Sequence, residues 1–198
     1  MTTQTMATPA NQTPTAGRLQ IDFLYLDLTS CDRCLGTDRN LESALEAVRE
    51  VLEATGAVVD IRKTLVETAA QARELRFVSS PTIRVNGRDL AFDLKESDCG
   101  CDACTDGSGE PIACRDWTYR GEEYAEAPVG LIVDAILGEI YGGGERRAIA
   151  PDHDYELPEN LGRFFEGAGC GSTSQPKSCC EPAVTADCCP PTSEACGC

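Results

Sequence analysis

The chain of 198 residues is long enough for one domain of ordinary size with additional segments. Its 33 acidic residues against 17 basic ones give a formal net charge of -16, which argues against nucleic acid or an anionic membrane surface as a partner. No run approaches the ~18 consecutive apolar residues of a membrane-spanning helix. Residues 1–18 contain neither a basic start nor an apolar centre, so we expect a disordered lead, no secretory signal and a cytoplasmic location.

The first predicted elements are a strand and a helix. Apolar side chains on both faces of the run IDFLYLDL predict a strand covered on both sides, with Ile21 and Phe23 on one face and Leu24 and Leu26 on the other. Apolar residues then recur at three- and four-residue steps through NLESALEAVREVLEATG, which predicts an amphipathic helix ending at Gly56. The runs AVVDIRKTLV and ETAAQARELRF predict a second strand and a second helix.

A hairpin and a last helix complete the predicted α/β order. In TIRVNGRDLAFD, the first strand contains Ile83 and Val85, Asn86-Gly87 supplies a type I′ turn, and the second strand contains Leu90 and Phe92. Residues 95–127 form a polar insertion that contains cysteines. The run PVGLIVDAILGEIYGG then predicts an apolar helix with Pro128 at its start.

Thirteen cysteines are the most unusual feature of the composition. In a reducing cytosol such a number favours catalytic, metal-binding or redox-sensing thiols over a disulfide scaffold. One pair, Cys31 and Cys34, lies where the first strand turns into the first helix. A helix N-terminus stabilises a thiolate and lowers its pKa, and a second thiol three residues away can resolve a mixed disulfide.

Three features of the chain resemble the thioredoxin and glutaredoxin superfamily. They are Cys-Asp-Arg-Cys at the first strand–helix junction, Ser80-Pro81-Thr82 ahead of the third strand, and the TIRVNGRDLAFD hairpin. More narrowly, the chain resembles a thioredoxin-like family of uncharacterised bacterial and archaeal proteins that carries a domain-of-unknown-function label. The resemblance covers residues 19–144 and implies a thioredoxin-like fold, β-α-β-α-β-β-α, with residues 95–127 as a Cys-rich insertion.

The resemblance also implies catalytic roles. Cys31 would be the nucleophile, Cys34 the resolving thiol, and Pro81 a cis-proline that shapes the substrate groove. Asp32 and Arg33 between the cysteines depart from the usual dipeptides, and the first would oppose a thiolate while the second would favour it. Permanent metal binding and a structural role of the two thiols stay open as alternatives.

A second group of cysteines lies in the insertion, in the pattern C-x-C-x2-C-x9-C among Gly, Asp and Ser. Four thiolates are enough for a tetrahedral zinc site, so we expect zinc or another thiophilic metal here; no organic cofactor is indicated. An iron–sulfur cluster, a second reactive dithiol and independent thiols are the alternatives. Trp117 and Tyr119 are expected to anchor the insertion onto the core. The predicted ligands are Cys99, Cys101, Cys104 and Cys114.

The third group lies in the tail. Residues 145–169 predict a linker with one short helix around residues 161–165, and residues 170–198 form a low-complexity tail that cannot bury a core. Thiols spaced by Pro, Ser and Gly are similar to metallothionein-like or metalloid-scavenging segments, in which the metal supplies the ordering energy. A degenerate tail without function is the alternative. The predicted metal ligands are Cys170, Cys179, Cys180, Cys188, Cys189, Cys196 and Cys198.

These patterns predict two main functions. The first is a thiol–disulfide oxidoreductase that acts through Cys31 and Cys34, exchanges with protein or small-molecule thiols and disulfides, and serves in thiophilic metal or metalloid handling. The second is a non-enzymatic metal sequestrant or chaperone that uses the cysteines as ligands. A redox-sensing interaction module is a third interpretation.

Overall fold

The computed structural model describes residues 17–91, 93–101, 104–142 and 155–168. The predictions made for residues 1–16, for Phe92, for residues 143–154 and for the cysteines of the tail lie outside the described residues. Within the described ranges, no helix is both long and apolar enough to cross a membrane.

A mixed four-stranded sheet forms the centre of this α/β fold. Strand β1 (Arg18–Tyr25) lies between β2 (Val58–Leu65), which runs parallel to it, and β3 (Thr82–Val85), which runs antiparallel. Strand β4 (Arg88–Asp89) pairs antiparallel with β3, so the strand order is β2-β1-β3-β4. This central position of β1 agrees with the apolar faces predicted for it.

Two helices cover one face of the sheet. Helix α1 (Asp32–Thr55) and helix α3 (Val129–Tyr141) pack their apolar residues against Ile21 and Phe23 of β1. Helix α1 ends as predicted at Gly56, whose φ of 70° lets the following N–H of Ala57 bond to the Leu52 carbonyl at 3.0 Å. The predicted start of α3 is also confirmed, because Pro128 is its N-cap residue.

A second apolar cluster surrounds Leu24 and Leu26, as expected for side chains opposite to Ile21 and Phe23. Helix α2 (Ala69–Glu74) contributes to it, and so does helix α4 (Glu159–Ala168), which matches the short helix predicted within the linker. Both α2 and α4 therefore pack on the cysteine-bearing part of the molecule, since the same cluster contains four cysteines.

The predicted hairpin is confirmed, with a shorter second strand. Asn86 and Gly87 have φ values of 50° and 77°, as a type I′ turn requires. Strand β4 ends at Asp89. The Asp89 carboxylate accepts a hydrogen bond from the N–H of Ala91 and forms an ion pair with Arg115. These contacts turn the chain out of the ladder before it reaches the length expected from the sequence.

The insertion was expected to be a polar loop, and in the structure it forms a three-stranded antiparallel sheet. Its strands are β5 (Lys95–Asp98), β6 (Ala113–Tyr119) and β7 (Glu122–Tyr124). The fully buried Trp117 joins the core under α1 and α3, which confirms its predicted anchoring role. These strands could not be predicted from the sequence, because their mostly polar residues do not show the alternation of apolar and polar residues that indicates a strand.

Candidate metal centre

The Asp27 carboxylate organises the loop between β1 and α1. It accepts the backbone N–H groups of Thr29 at 2.8 Å, Ser30 at 2.9 Å and Cys31 at 3.1 Å, together with the hydroxyls of Thr29 and Ser30. Burial alone would raise the pKa of Asp27, but the hydrogen bonds from Thr29 and Ser30 outweigh it, and the pKa is lowered. An ionised Asp27 therefore fixes Cys31 at the N-cap position of α1.

Four cysteine sulfurs meet at this point. The Sγ atom of Cys31 lies 3.5 Å from that of Cys104, which in turn lies 3.4 Å from that of Cys114. The Sγ atoms of these three residues and of Cys99 all lie within 4.8 Å of one another. A tetrahedral zinc site with Zn–S bonds of about 2.3 Å has S–S edges of about 3.8 Å. These residues, called the four-thiol centre below, therefore have the spacing to surround one thiophilic ion.

The grouping differs from the one expected from the sequence. Cys31 joins three cysteines of the insertion, whereas Cys101 lies outside the four-thiol centre with its Sγ 3.0 Å from that of Cys99. Cys31, Cys104 and Cys114 are 0% exposed, while Cys99 and Cys101 are partly exposed. The centre is thus open to solvent on the side of Cys99 and Cys101.

Cys34 is close to the centre but outside it. Its thiol is fully buried and lies 3.3 Å from the hydroxyl of Ser80, and its interaction with Cys31 raises the pKa of Cys34. The Ser80-Pro81 bond is cis, as the resemblance implied, and Pro81 is buried. The backbone N–H of Arg115 donates to the Ser80 carbonyl at 2.7 Å, so strand β6 pairs with the loop beside Pro81.

Arg33 ties the insertion to the start of α1. Its guanidinium forms a 2.6 Å ion pair with Asp116 and donates to the Ser97 hydroxyl at 2.8 Å. The same group donates to the backbone carbonyls of Cys114, Arg115 and Asp98 at 3.0 to 3.2 Å. We call this set of contacts the Arg33 latch. Because its partners lie on β5 and β6, the latch holds the cysteines of the insertion against Cys31.

A family model described as a domain of unknown function, DUF2703, matches residues 19–136, which is more than half of the chain. The chain belongs to this family. The expectation of an uncharacterised family is thereby confirmed at that level. No curated protein and no solved structure matches the chain. The matched range runs from β1 into α3, so the DUF2703 domain includes the Cys-x-x-Cys sequence and the insertion with its cysteines.

The thiols of the DUF2703 domain are not equivalent. Hydrogen bonds from Cys104, Cys114 and Cys34 hold the pKa of Cys31 far below its usual range. Hydrogen bonds with Cys114 and Cys31, and then burial, raise the pKa of Cys104. For Cys114 the hydrogen bond with Cys104 lowers the pKa, but the bond with Cys31 and burial outweigh it, so the pKa is raised. Without a cation the centre therefore favours a thiolate at Cys31 over one at Cys104 or Cys114.

Helix α4 packs in the same apolar cluster as the cysteines of the centre, which the sequence did not predict. Helix α4 buries Leu161 and Phe165 in the same cluster as the cysteines. Its Asn160 amide donates to the Ala113 carbonyl at 2.7 Å and accepts the Ala113 N–H at 3.0 Å, as a neighbouring strand would. The sequence predicted a short helix around residues 161–165, but not the surface on which it packs.

Proposed function

We propose that the DUF2703 domain binds a thiophilic metal or metalloid ion through the thiolates of Cys31, Cys99, Cys104 and Cys114. The observation that carries this proposal is the convergence of their four Sγ atoms within 4.8 Å of one another. A ligand set made of thiolates favours soft cations such as Zn²⁺ or Cu(I) over Mg²⁺ or Ca²⁺, which prefer oxygen. The biochemical role that fits such a site is sequestration or delivery of the ion.

Burial supports this function over thiol–disulfide exchange. A thiolate that attacks a protein disulfide has to be reachable by its substrate. Cys31 and Cys34 are both 0% exposed, and strand β6 is bonded through Arg115 to Ser80 beside them. A protein disulfide would have to displace the insertion, and with it the Arg33 latch, before it could reach Cys31.

Thiol–disulfide exchange is the second candidate function, and the order of the helices and strands in the domain supports it. The order β-α-β-α-β-β-α, interrupted by the insertion, and the strand order β2-β1-β3-β4 support a thioredoxin-like fold. The lowered pKa of Cys31 and the position of Cys34 three residues later suit a nucleophile and a resolving thiol. In this candidate the substrates are protein or small-molecule disulfides that enter after the insertion moves away.

Replacing Cys31 and Cys34 separately by Ser distinguishes the two candidates. The protein is the full-length chain in which the seven cysteines of residues 170–198 are also Ser, so that the tail contributes no thiolate. Anaerobic titration with Co²⁺ reports thiolate ligation by its charge-transfer absorption. The proposal predicts a single tightly bound ion in this parent, a loss of affinity of about a hundredfold in Cys31→Ser, and little change in Cys34→Ser.

Two other results of these experiments would count against the metal proposal or in favour of thiol–disulfide exchange. A parent that binds no Co²⁺ would contradict the metal proposal. Disulfide reductase activity that both Ser variants abolish would support the second candidate. Far-ultraviolet circular dichroism of each apo protein verifies that the substitutions leave the fold intact.

A further inference from the structure

A fifth thiol lies at the rim of the four-thiol centre. The Sγ atom of Cys101 is 3.0 Å from that of Cys99. The Cys101 carbonyl accepts the N–H of Cys104 at 3.2 Å. Cys101 therefore contacts two residues of the centre without being part of it.

Cys99 and Cys101 are too close together to hold the same ion at this spacing. Two thiolates 3.0 Å apart, each about 2.3 Å from a zinc ion, would subtend an angle of about 80° at the metal. A tetrahedral site requires about 109°. The geometry therefore favours Cys99 as a ligand of the loaded centre and leaves Cys101 as a thiol beside it.

The exposure of these residues gives the route by which an ion enters. Cys31, Cys104 and Cys114 are fully buried, whereas Cys99 and Cys101 are partly exposed. An incoming ion therefore meets Cys99 and Cys101, called the rim pair below, before it meets the three buried sulfurs.

A turn at Gly100 holds the rim pair side by side. Gly100 has a φ of 67°, a backbone conformation that favours glycine. Its N–H donates to the Asp98 carboxylate at 2.8 Å, and the Asp98 carbonyl accepts from Arg33 at 3.0 Å. The Arg33 latch therefore fixes the turn that presents both thiols to solvent.

We propose that Cys101 is a transfer thiol, which takes a soft cation from an external ligand and passes it to the sulfurs of the four-thiol centre. This inference rests on the proposed metal site. In the first exchange the bond between the cation and its donor breaks, a bond to the Cys101 sulfur forms, and the Cys101 proton passes to the released donor. In the second exchange the buried sulfurs replace Cys101, which takes back a proton that they give up. No electrons are transferred in either exchange.

The test measures rates of transfer separately from affinity. The parent is the full-length chain with Ser at the cysteines of residues 170–198, and the probe is Zn²⁺ held by the chromophoric chelator 4-(2-pyridylazo)resorcinol. Stopped-flow absorbance follows zinc uptake by the apo protein and zinc removal by excess chelator. We expect Cys101→Ser to slow both directions by about tenfold or more and to leave the Kd within about threefold of the parent.

Two further variants separate this role from a structural one. Arg49→Gln changes a side chain that pairs with Glu46 and Glu53 at the surface of α1, so it should transfer zinc at the parent rate. Cys101→His supplies another zinc ligand at the rim and should restore part of the lost rate. Cys101→Ala serves as the second truncation if the Ser variant does not fold.

Each outcome decides the proposal. Parent rates in Cys101→Ser and Cys101→Ala would overturn it, and so would a loss of affinity as large as that of Cys99→Ser, because Cys101 would then be a permanent ligand. Failure of the parent to bind zinc at all would instead refute the metal site itself. Slower transfer with an unchanged Kd, rescued by His, is the result that supports a transfer thiol.

Discussion

Replacing Arg33 by Gln should weaken metal binding without unfolding the DUF2703 domain. Arg33 touches no sulfur of the four-thiol centre in its hydrogen bonds; it acts by holding β5 and β6 against the start of α1. Gln is shorter and uncharged, so it cannot pair with Asp116 and still reach Ser97. The insertion would then spend part of its time away from Cys31.

The size of the effect follows from the burial of the ion pair. The side chains of Arg33 and Asp116 are only 11% and 20% exposed, so solvent screens the pair weakly. Removing one partner of a buried pair costs ~3–5 kcal/mol, and partial exposure places this pair near the lower end. Because the apparent Kd rises as the closed fraction falls, a loss of ~3 kcal/mol in the closed state raises the Kd by up to about a hundredfold.

The matched control is Arg49→Gln on the same helix. Arg49 pairs with Glu46 and Glu53 at the surface, where its side chain is 53% exposed, and such pairs contribute little. Competition of Zn²⁺ between each protein and a chromophoric chelator gives the Kd, and circular dichroism reports the fold. A Kd for Arg33→Gln within about threefold of the parent, with the fold retained, would refute the reasoning that the latch assembles the centre.

Two other predictions concern protons and packing. Metal binding should release protons from at least Cys104 and Cys114, whose pKa values are raised, so the association constant should rise by at least about a hundredfold per pH unit near neutrality; a pH-independent Kd in zinc competition would contradict this. Gly107→Ala should lower the thermal unfolding temperature, because its Cβ would lie 2.6 Å from the Gly167 Cα, and overpacking of this kind costs ~1–3 kcal/mol. Gly162→Ala, which meets open space within α4, should have the opposite effect in the same calorimetric measurement, since Ala favours a helix by ~1 kcal/mol over Gly. Equal shifts for the two glycine variants would show that α4 does not pack on the insertion as described.

Most helices and strands of the domain could be predicted because the sequence patterns that indicate them are local. Apolar periodicity marked β1 and α1, Gly56 marked the end of α1, and Asn86-Gly87 marked the hairpin turn. Each of these signals depends on neighbours within a few residues. The three strands of the insertion were not predicted because most of their residues are polar, and the buried Cys114 and Trp117 of β6 do not form a run of alternating apolar residues.

The composition of the centre could be predicted only in part. Cysteine spacing correctly identified Cys99, Cys104 and Cys114 as neighbours, since all three lie in one short insertion. It could not add Cys31, which is 73 residues from Cys104 along the chain. Nor could it foresee Arg33 as a latch, because a charge between two cysteines gives no sign of partners on strands far away in sequence.

The Cys-x-x-Cys sequence determines the position of two thiols at the start of a helix, but it does not determine which groups lie next to them. At the N-cap of α1, Cys31 is favoured as a thiolate whether its neighbour is a substrate disulfide or a cation. In the DUF2703 domain the sulfurs facing it are those of the insertion, and Ser80 accepts a backbone hydrogen bond from β6 on the adjoining side. The chemistry available to Cys31 therefore depends on the residues that hold the insertion closed. Opening the Arg33 latch should make Cys31 more reactive towards alkylating agents and less able to retain a metal. A change in both properties with this single substitution would tie the two candidate functions to one conformational equilibrium.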